Sequence, residues 1–430
     1  MFHAILSLIF FAAAIAIGCL LKKNTGVVSI ALALVLAMIV GISNDGKISG
    51  VAYDKWLLNS FDSSLFLMLL GVMYLFCIAE NNHTLELIAK KSIRLCGGKV
   101  KLIPVVLFLL GTVISAVGPG LISTTALMAV LAMALAVEAN VEPIKFLLFG
   151  GLGAFAGGLS PITPSAIVAI EKSAANGISG IEFPIAFYMF MIMLFCALVL
   201  YFFVFRWHKY KEDSNVKIAM GGGENDKFKI QHIATVIGII LTAAVSTILD
   251  IKIGLVAFVV ALILSICGFA DEGAALKKIP WNTLLMITGV GMLISLVTEL
   301  GGIDLLSDGL ALLMGKHTAA AIITILAGVM SWVSSASGVV MPTLIPTTPT
   351  LAAELGINPI ALIVGICIGA NAAAFSPLSS CGGLMLAAYS GSEISTTEGR
   401  NKMFARLFFF SSACIGVAAL FALVGCFGWF

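Results

Sequence analysis

Four short stretches interrupt an otherwise apolar chain with the residue types that hold small ions. They are Gly118-Pro119-Gly120, Gly157-Gly158-Leu159-Ser160-Pro161-Ile162-Thr163-Pro164-Ser165, Ser334-Ser335-Ala336-Ser337-Gly338, and Asn371 to Cys381 with Ser376-Pro377-Leu378-Ser379-Ser380 inside it. Each break frees carbonyls at the end of one half-helix and N–H groups at the start of the next. Carbonyls and hydroxyls suit a small hard cation, whereas N–H groups at the positive end of a helix dipole suit an anion such as a carboxylate. Kinks of this composition also occur without a ligand, so one break alone decides nothing. Four breaks in two related pairs carry more weight.

The expected substrate contacts are Gly118, Pro119, Gly120, Ser160, Pro161, Thr163, Ser335, Ser337, Ser376, Pro377, Ser379 and Ser380. The expected cation ligands are Gly118, Ser123, Thr124, Gly157, Gly158, Ser334, Ser337, Gly338 and Ala374. No Lys, Arg, His, Asp or Glu lies deep within any of the four breaks. A carboxylate there is held by N–H groups, by hydroxyls and by half-helix dipoles of roughly half a charge each. A dianion stays under-compensated in such surroundings, which makes a co-bound cation useful. Sodium is the expected coupling ion, because protons need a group that titrates. Proton coupling is the competing reading, and Glu171 and Glu299 would then be its carriers.

The elements that must position these residues are membrane helices. Hydrophobic residues make up 60% of the 430 positions and charged residues 11%, against roughly 45–50% and about 25% in soluble domains. Apolar runs fall at about 2–21, 26–43, 64–80, 102–137, 144–171, 182–206, 232–249, 253–270, 281–299, 318–353, 358–392 and 405–428. Outer-membrane barrels are excluded by the lack of period-two alternation in ~10-residue segments. A cleaved signal peptide is disfavoured, since Met1 to Ala4 carries no basic residue while Lys22 and Lys23 follow the first apolar run. The runs 102–137 and 318–353 are each 36 residues without a charge, about 54 Å if wholly helical at ~1.5 Å per residue. Both are expected to turn back as re-entrant hairpins at Gly118-Pro119-Gly120 and Ser334 to Gly338.

A constant offset links the two halves. Leu102 and Thr318, Pro143 and Pro359, Gly153 and Gly369, Ser160 and Ser376, and Pro161 and Pro377 are each separated by 216 positions. Upstream the offset is 218, as for Gly71-Val72 and Gly289-Val290. The expected fold class is an all-α membrane protein of two inverted repeats, each with a re-entrant hairpin and a broken helix, giving about ten crossings and two hairpins. The expected domains are a first repeat over 1–207 (hairpin 102–137, broken helix 144–171), a linker over 208–231, and a second repeat over 232–430 (hairpin 318–353, broken helix 358–392). With that topology 19 of the 24 basic residues fall on one side. The positive-inside rule makes it cytoplasmic, with loop 208–231, and places both termini outside a multi-pass cell (inner) membrane protein.

Other signals are weaker. Gly153 and Gly157 have the spacing of a close helix-packing face, and Gly150-Gly151-Leu152-Gly153 follows no strand that would make it a phosphate loop. The five histidines sit at helix ends or loops, and the nine cysteines read as small packing residues. Glu80, Glu171, Asp250 and Glu299 lie at span ends, as interfacial anchors do. The stretches 84–94 and 303–313 have amphipathic spacing and are expected on the membrane surface. No cofactor and no nucleic-acid partner is expected.

Over about residues 60–170 the chain resembles malonate/dicarboxylate carriers of the MatC type. The resemblance is carried by Leu70-Gly71-Val72 to Phe76, Ile103-Pro104, Gly118-Pro119-Gly120 and Gly157-Gly158-Leu159-Ser160-Pro161. Those carriers are similar in plan to the divalent anion:sodium symporters of the ion transporter superfamily. The resemblance implies a homodimer that binds sodium and a dicarboxylate at hairpin tips and broken helices. The superfamily's Ser-Asn-Thr tip motif is matched here only in position, by Gly118-Pro119-Gly120 and Ser335-Ala336-Ser337. The expected function is sodium-coupled transport of a small carboxylate such as malonate or succinate. An inorganic-anion carrier or an antiporter of the same fold is the alternative. A membrane-embedded enzyme is disfavoured because no catalytic dyad is present, and a channel because opposed hairpins suit alternating access.

Overall fold

The computed structural model describes the chain except residues 22, 44–45, 95–98, 208–227, 250, 393 and 429–430. Most of the expected linker 208–231 therefore lies outside the described residues. Nearly everything described is helix, as the apolar runs require in a medium that cannot satisfy free backbone groups. The exception is a two-rung hairpin, Lys47–Ile48 with Val51–Ala52. Its turn residues Ser49 and Gly50 have φ of 45° and 79°, the left-handed pair that tight hairpins need.

Among the described residues six helices are long and apolar enough to cross a membrane: Tyr53–Asn81, Gly120–Glu138, Glu182–Val204, Trp281–Glu299, Pro359–Ser390 and Thr397–Leu423. A seventh unit, Ala319–Val333 with Ala336–Leu355, bends by 119° at its break, as a chain turning back must. Six further apolar helices are shorter, so fewer helices qualify by length than the ten crossings expected. Two of the short ones, Val100–Ala116 and Pro143–Ala156, are single arms of interrupted elements. Another, Ile253–Ile266, stops ahead of its expected end because Gly268 takes φ 70°. The last helix starts earlier than expected, at Thr397, because the Thr396 hydroxyl accepts from Gly399 N–H at 3.0 Å and caps it.

The repeat is visible in the helix ends. The first broken helix runs Pro143–Ala156 and Pro164–Ala175, and the second runs Pro359–Ala372 and Ser380–Ser390. Three of these ends recur at an offset of 216. Each first half begins with proline at its first turn, where the missing N–H is not needed.

Two groups of helices pack side by side. One contains both hairpins, both broken helices and the helices Glu182–Val199 and Thr397–Leu423. The other is built on two close crossings that exchange partners between the repeats. Ser63–Asn81 of the first half packs on Ile253–Ile266 of the second, and Trp281–Glu299 of the second packs on Thr25–Ser43 of the first. A Cβ on Gly71 would lie 2.0 Å from the carbonyl oxygen of Gly254, and one on Gly289 would lie 2.3 Å from that of Gly26. Backbone meets backbone at both crossings, and only glycine fits.

The amphipathic connectors form the helices Thr84–Arg94 and Gly302–Ala311. Each follows its repeat's third apolar helix.

Candidate functional site

Each hairpin tip rests on the broken helix of its own repeat. The first tip turns through Gly118 (φ 134°) and Gly120 (φ 74°), conformations that favour glycine. Gly118 lies against the ring of Phe76, and a Cβ on Gly120 would stand 3.1 Å from Cδ of Pro164. Below the tip, Gly153 and Gly157 face the carbonyls of Phe108 and Thr112, each 2.2 Å from where a Cβ would be. The Gly153/Gly157 spacing thus serves close helix packing, and it presses the first arm onto the break.

The second tip is tied down by hydrogen bonds. Trp332 Nε1 donates to Ser411 Oγ at 3.0 Å, and Ser411 Oγ donates to the carbonyl of Ala373 at 2.8 Å. Ser376 Oγ donates to the carbonyl of Trp332 at 3.4 Å and accepts from Leu378 N–H at 3.3 Å. The second arm opens with a wide turn, Ala336–Val340, in which Val340 N–H reaches back five residues to Ser335 O. Such turns recur at functional sites.

The two tip-and-break pairs interlock. The half-helix Ser380–Ser390 packs against Gly120–Glu138, and Pro164–Ala175 packs against the second arm of the second hairpin. All four interruptions therefore belong to one packed body.

The half-helix starts differ in how their N–H groups are satisfied. Thr163 Oγ1 accepts from Ala166 N–H and donates to the carbonyls of Gly158 and Ser160, both at 2.8 Å. Ser379 Oγ accepts from Gly382 N–H and donates to the carbonyls of Ala374 and Ser376, at 2.7 and 2.8 Å. Ser335 Oγ accepts from Gly338 N–H at 3.1 Å. The fourth start, at Gly120, follows Pro119 and has no side-chain cap. Two buried hydroxyls within two turns of it, Ser115 Oγ and Thr124 Oγ1, have no hydrogen-bond partner, and neither does Asn371 Oδ1 just before the second break.

The sequence candidates separate accordingly. Gly118, Gly120, Thr124, Gly157, Gly158, Thr163, Gly338 and Ser376 are buried. Pro119, Ser160, Ser334, Ser335, Ser337, Ala374, Pro377 and Ser379 are half-buried. Ser123, Pro161 and Ser380 are exposed, and Ser123 is turned about 100° around its helix from the buried Thr124. Thr163, Ser335 and Ser379 already spend their hydroxyls on the backbone. Ser115, Asn371, Trp332 and Ser411 were not among the candidates. The available signal was a polar side chain inside an apolar run, within a turn of a break for the first three.

Beside the first tip, between Phe76, Val117, Ile162 and Ala257, a void of about 10 Å³ remains, room for one water-sized sphere. Among the described residues no group of three or more His, Cys, Asp or Glu side chains could hold a metal. Any cation here meets backbone carbonyls and hydroxyls, the donors that hard ions take.

Irregular backbone enclosed by apolar helices from two repeats is the arrangement in which membrane transporters hold their ligands. The family profile described as citrate transporter (CitMHS) matches residues 8–365, and the chain belongs to that family. Its fold is similar to the solved structure of the YdaH transporter of Alcanivorax borkumensis, described as having an unusual topology. That likeness has a TM-score of 0.60 at 14% identity and covers 94% of this chain and 98% of the other. No curated protein matches the chain.

Proposed function

We propose that this chain is a secondary carrier for small di- and tricarboxylates, working by alternating access across the cell (inner) membrane. The observation that carries the reading is the uncapped helix start at Gly120, beside the buried, unpartnered hydroxyls of Ser115 and Thr124. Unsatisfied buried polar atoms cost about 1–3 kcal/mol each unless something binds them. Free N–H groups suit a carboxylate oxygen, and bare hydroxyl oxygens suit a cation. Membership of the citrate transporter family supports citrate itself as a substrate, and the likeness to malonate carriers over residues 60–170 supports the C3 and C4 dicarboxylates.

Sodium is the coupling ion in this reading. The carboxylates on which proton coupling would depend are engaged at one face: Glu171 accepts from Lys252 at 3.3 Å, and Glu299 accepts from Ser49. The repeats are inverted in the bilayer, with both termini outside and the loop 208–231 cytoplasmic, and two chains form a homodimer.

Uptake of radiolabelled citrate, malonate, succinate, malate and sulfate into proteoliposomes tests this. A carboxylate is expected to accumulate under an inward sodium gradient and to stop when choline replaces sodium. Full uptake with choline and a pH gradient would remove sodium from the account. Uptake of sulfate alone would favour the inorganic-anion carrier.

A further inference from the structure

Two adjacent residues in the last turn of the half-helix Pro164–Ala175 reach in different directions to fixed partners. Lys172 Nζ donates to Asp62 Oδ2 at 3.2 Å, while the other oxygen of Asp62 accepts from Leu65 N–H at 3.0 Å and caps Ser63–Asn81. A Cβ on Gly291 would stand 3.8 Å from the same ammonium, so Lys172 also lies beside Trp281–Glu299. Glu171 takes both its oxygens to Lys252 Nζ at 3.3 Å, and Lys252 further donates to Ser64 Oγ at 2.8 Å.

All these partners stand at the starts of the two helices that cross at Gly71 and Gly254. Asp62 and Ser64 begin Ser63–Asn81, and Lys252 is the residue before Ile253–Ile266. Backbone contact at the crossing fixes these two helices to each other, so they form a rigid post. The half-helix beyond the first break packs on the second arm of the second hairpin, in the other body, and also along Ser63–Asn81. The two ion pairs stand at the end of that contact and tie the body that contains the candidate site to the starts of the crossed helices.

The arrangement is not repeated. At the offset of 216, Glu171 and Lys172 correspond to Ala387 and Ala388, and at 218, Asp62 corresponds to Pro280. Two other long-range ion pairs, Glu80–Lys278 and Glu142–Arg406, touch neither half-helix beyond a break. Side-chain exposures of 16% for Lys172 and 33% for Asp62 leave this pair partly shielded. Lys252 and Glu171, at 48% and 27%, are wetter. Pairs of this kind are weak enough to open and close.

We propose that Glu171 and Lys172 form a releasable latch that holds the first broken helix against the crossed helices and keeps one face of the carrier closed. The latch rests on the transporter reading, in which this face is the outer one. It acts through conformation only, and the second broken helix, with alanines at these places, has no counterpart on the other face. Release is then the step that admits substrate from this side.

The test uses the full chain in proteoliposomes, with the native cysteines replaced and a single cysteine at Ile162, inside the first break. An impermeant maleimide is added to each side in turn. Glu171→Gln and Lys172→Met are each expected to raise labelling from the Lys172 face about fivefold, the weight of one ion pair. The swap of Glu171→Lys with Lys252→Glu is expected to restore labelling to within about twofold of the parent. Singles that label at the parent rate, or a swap that labels as fast as the singles, would overturn the latch. Failure of the transport reading shows separately, as labelling that shifts in a chain that takes up none of the labelled anions.

Discussion

The rings of Phe155 and Phe375, both fully buried, lie with centroids 4.4 Å apart and planes at 56°. Phe155 is one residue from the end of Pro143–Ala156, and Phe375 closes the short turn after Pro359–Ala372. The two broken helices touch through these rings where each is interrupted. Gly151 makes room for Phe375, since a Cβ there would fall 2.7 Å from the ring. Phe155→Ala and Phe375→Ala should each destabilise the protein by about 3–5 kcal/mol, read as a lower unfolding temperature in detergent. Phe→Leu at either position should recover a large part of the loss.

Thr163 and Ser379 hold matching backbone partners at an offset of 216, and each ties the loop of a break to the helix that follows. Thr163→Val and Ser379→Ala should each cost about 1 kcal/mol of stability and should slow uptake. Thr163→Ser and Ser379→Thr keep the hydroxyl and should behave as the parent does. Equal uptake by Thr163→Val and the parent would show that the loop needs no hydroxyl.

The breaks themselves were legible because proline, glycine and serine inside an apolar run have few other meanings. The 216 offset was legible too, and it recurs in the helix ends. What each hydroxyl does was not. Ser335, Thr163 and Ser379 read as ligand residues by type, yet the structure gives them to backbone N–H groups, because a capping serine and a binding serine have the same composition. Ser411, far along the chain from Trp332, carried no sign of the hydrogen bond that joins them. Ser123 and Thr124 are neighbours in sequence, and only the rotation of their helix separates the exposed one from the buried one.

Removing an unpartnered buried polar atom should separate stability from function. Ser115→Ala and Thr124→Val remove hydroxyls that have no hydrogen-bond partner, so the empty chain should be unchanged or more stable, by up to about 1–3 kcal/mol. Uptake should fall at the same time. A loss of stability matching the loss of uptake would show that these atoms have a structural partner.

Gly71→Ala and Gly289→Ala put a methyl into a facing backbone and should lower the unfolding temperature sharply, because neither helix can yield without parting from its mate. Gly416→Ala is the control. Nothing stands within 4 Å of a Cβ there, and the change should be neutral or stabilising by up to about 1 kcal/mol.

The exchanged crossings also bear on how the chain is made. Synthesis delivers Ser63–Asn81 to the bilayer well before Ile253–Ile266 exists, with 182 residues between Gly71 and Gly254. Throughout that interval Gly71 leaves a bare notch of backbone facing lipid or an insertion chaperone. The first half completes its packing only after the second half has entered the membrane. A nascent chain halted after the first repeat, or the first repeat expressed alone, should be recognised as unfinished and degraded, and supplying the second repeat as a separate polypeptide should rescue it.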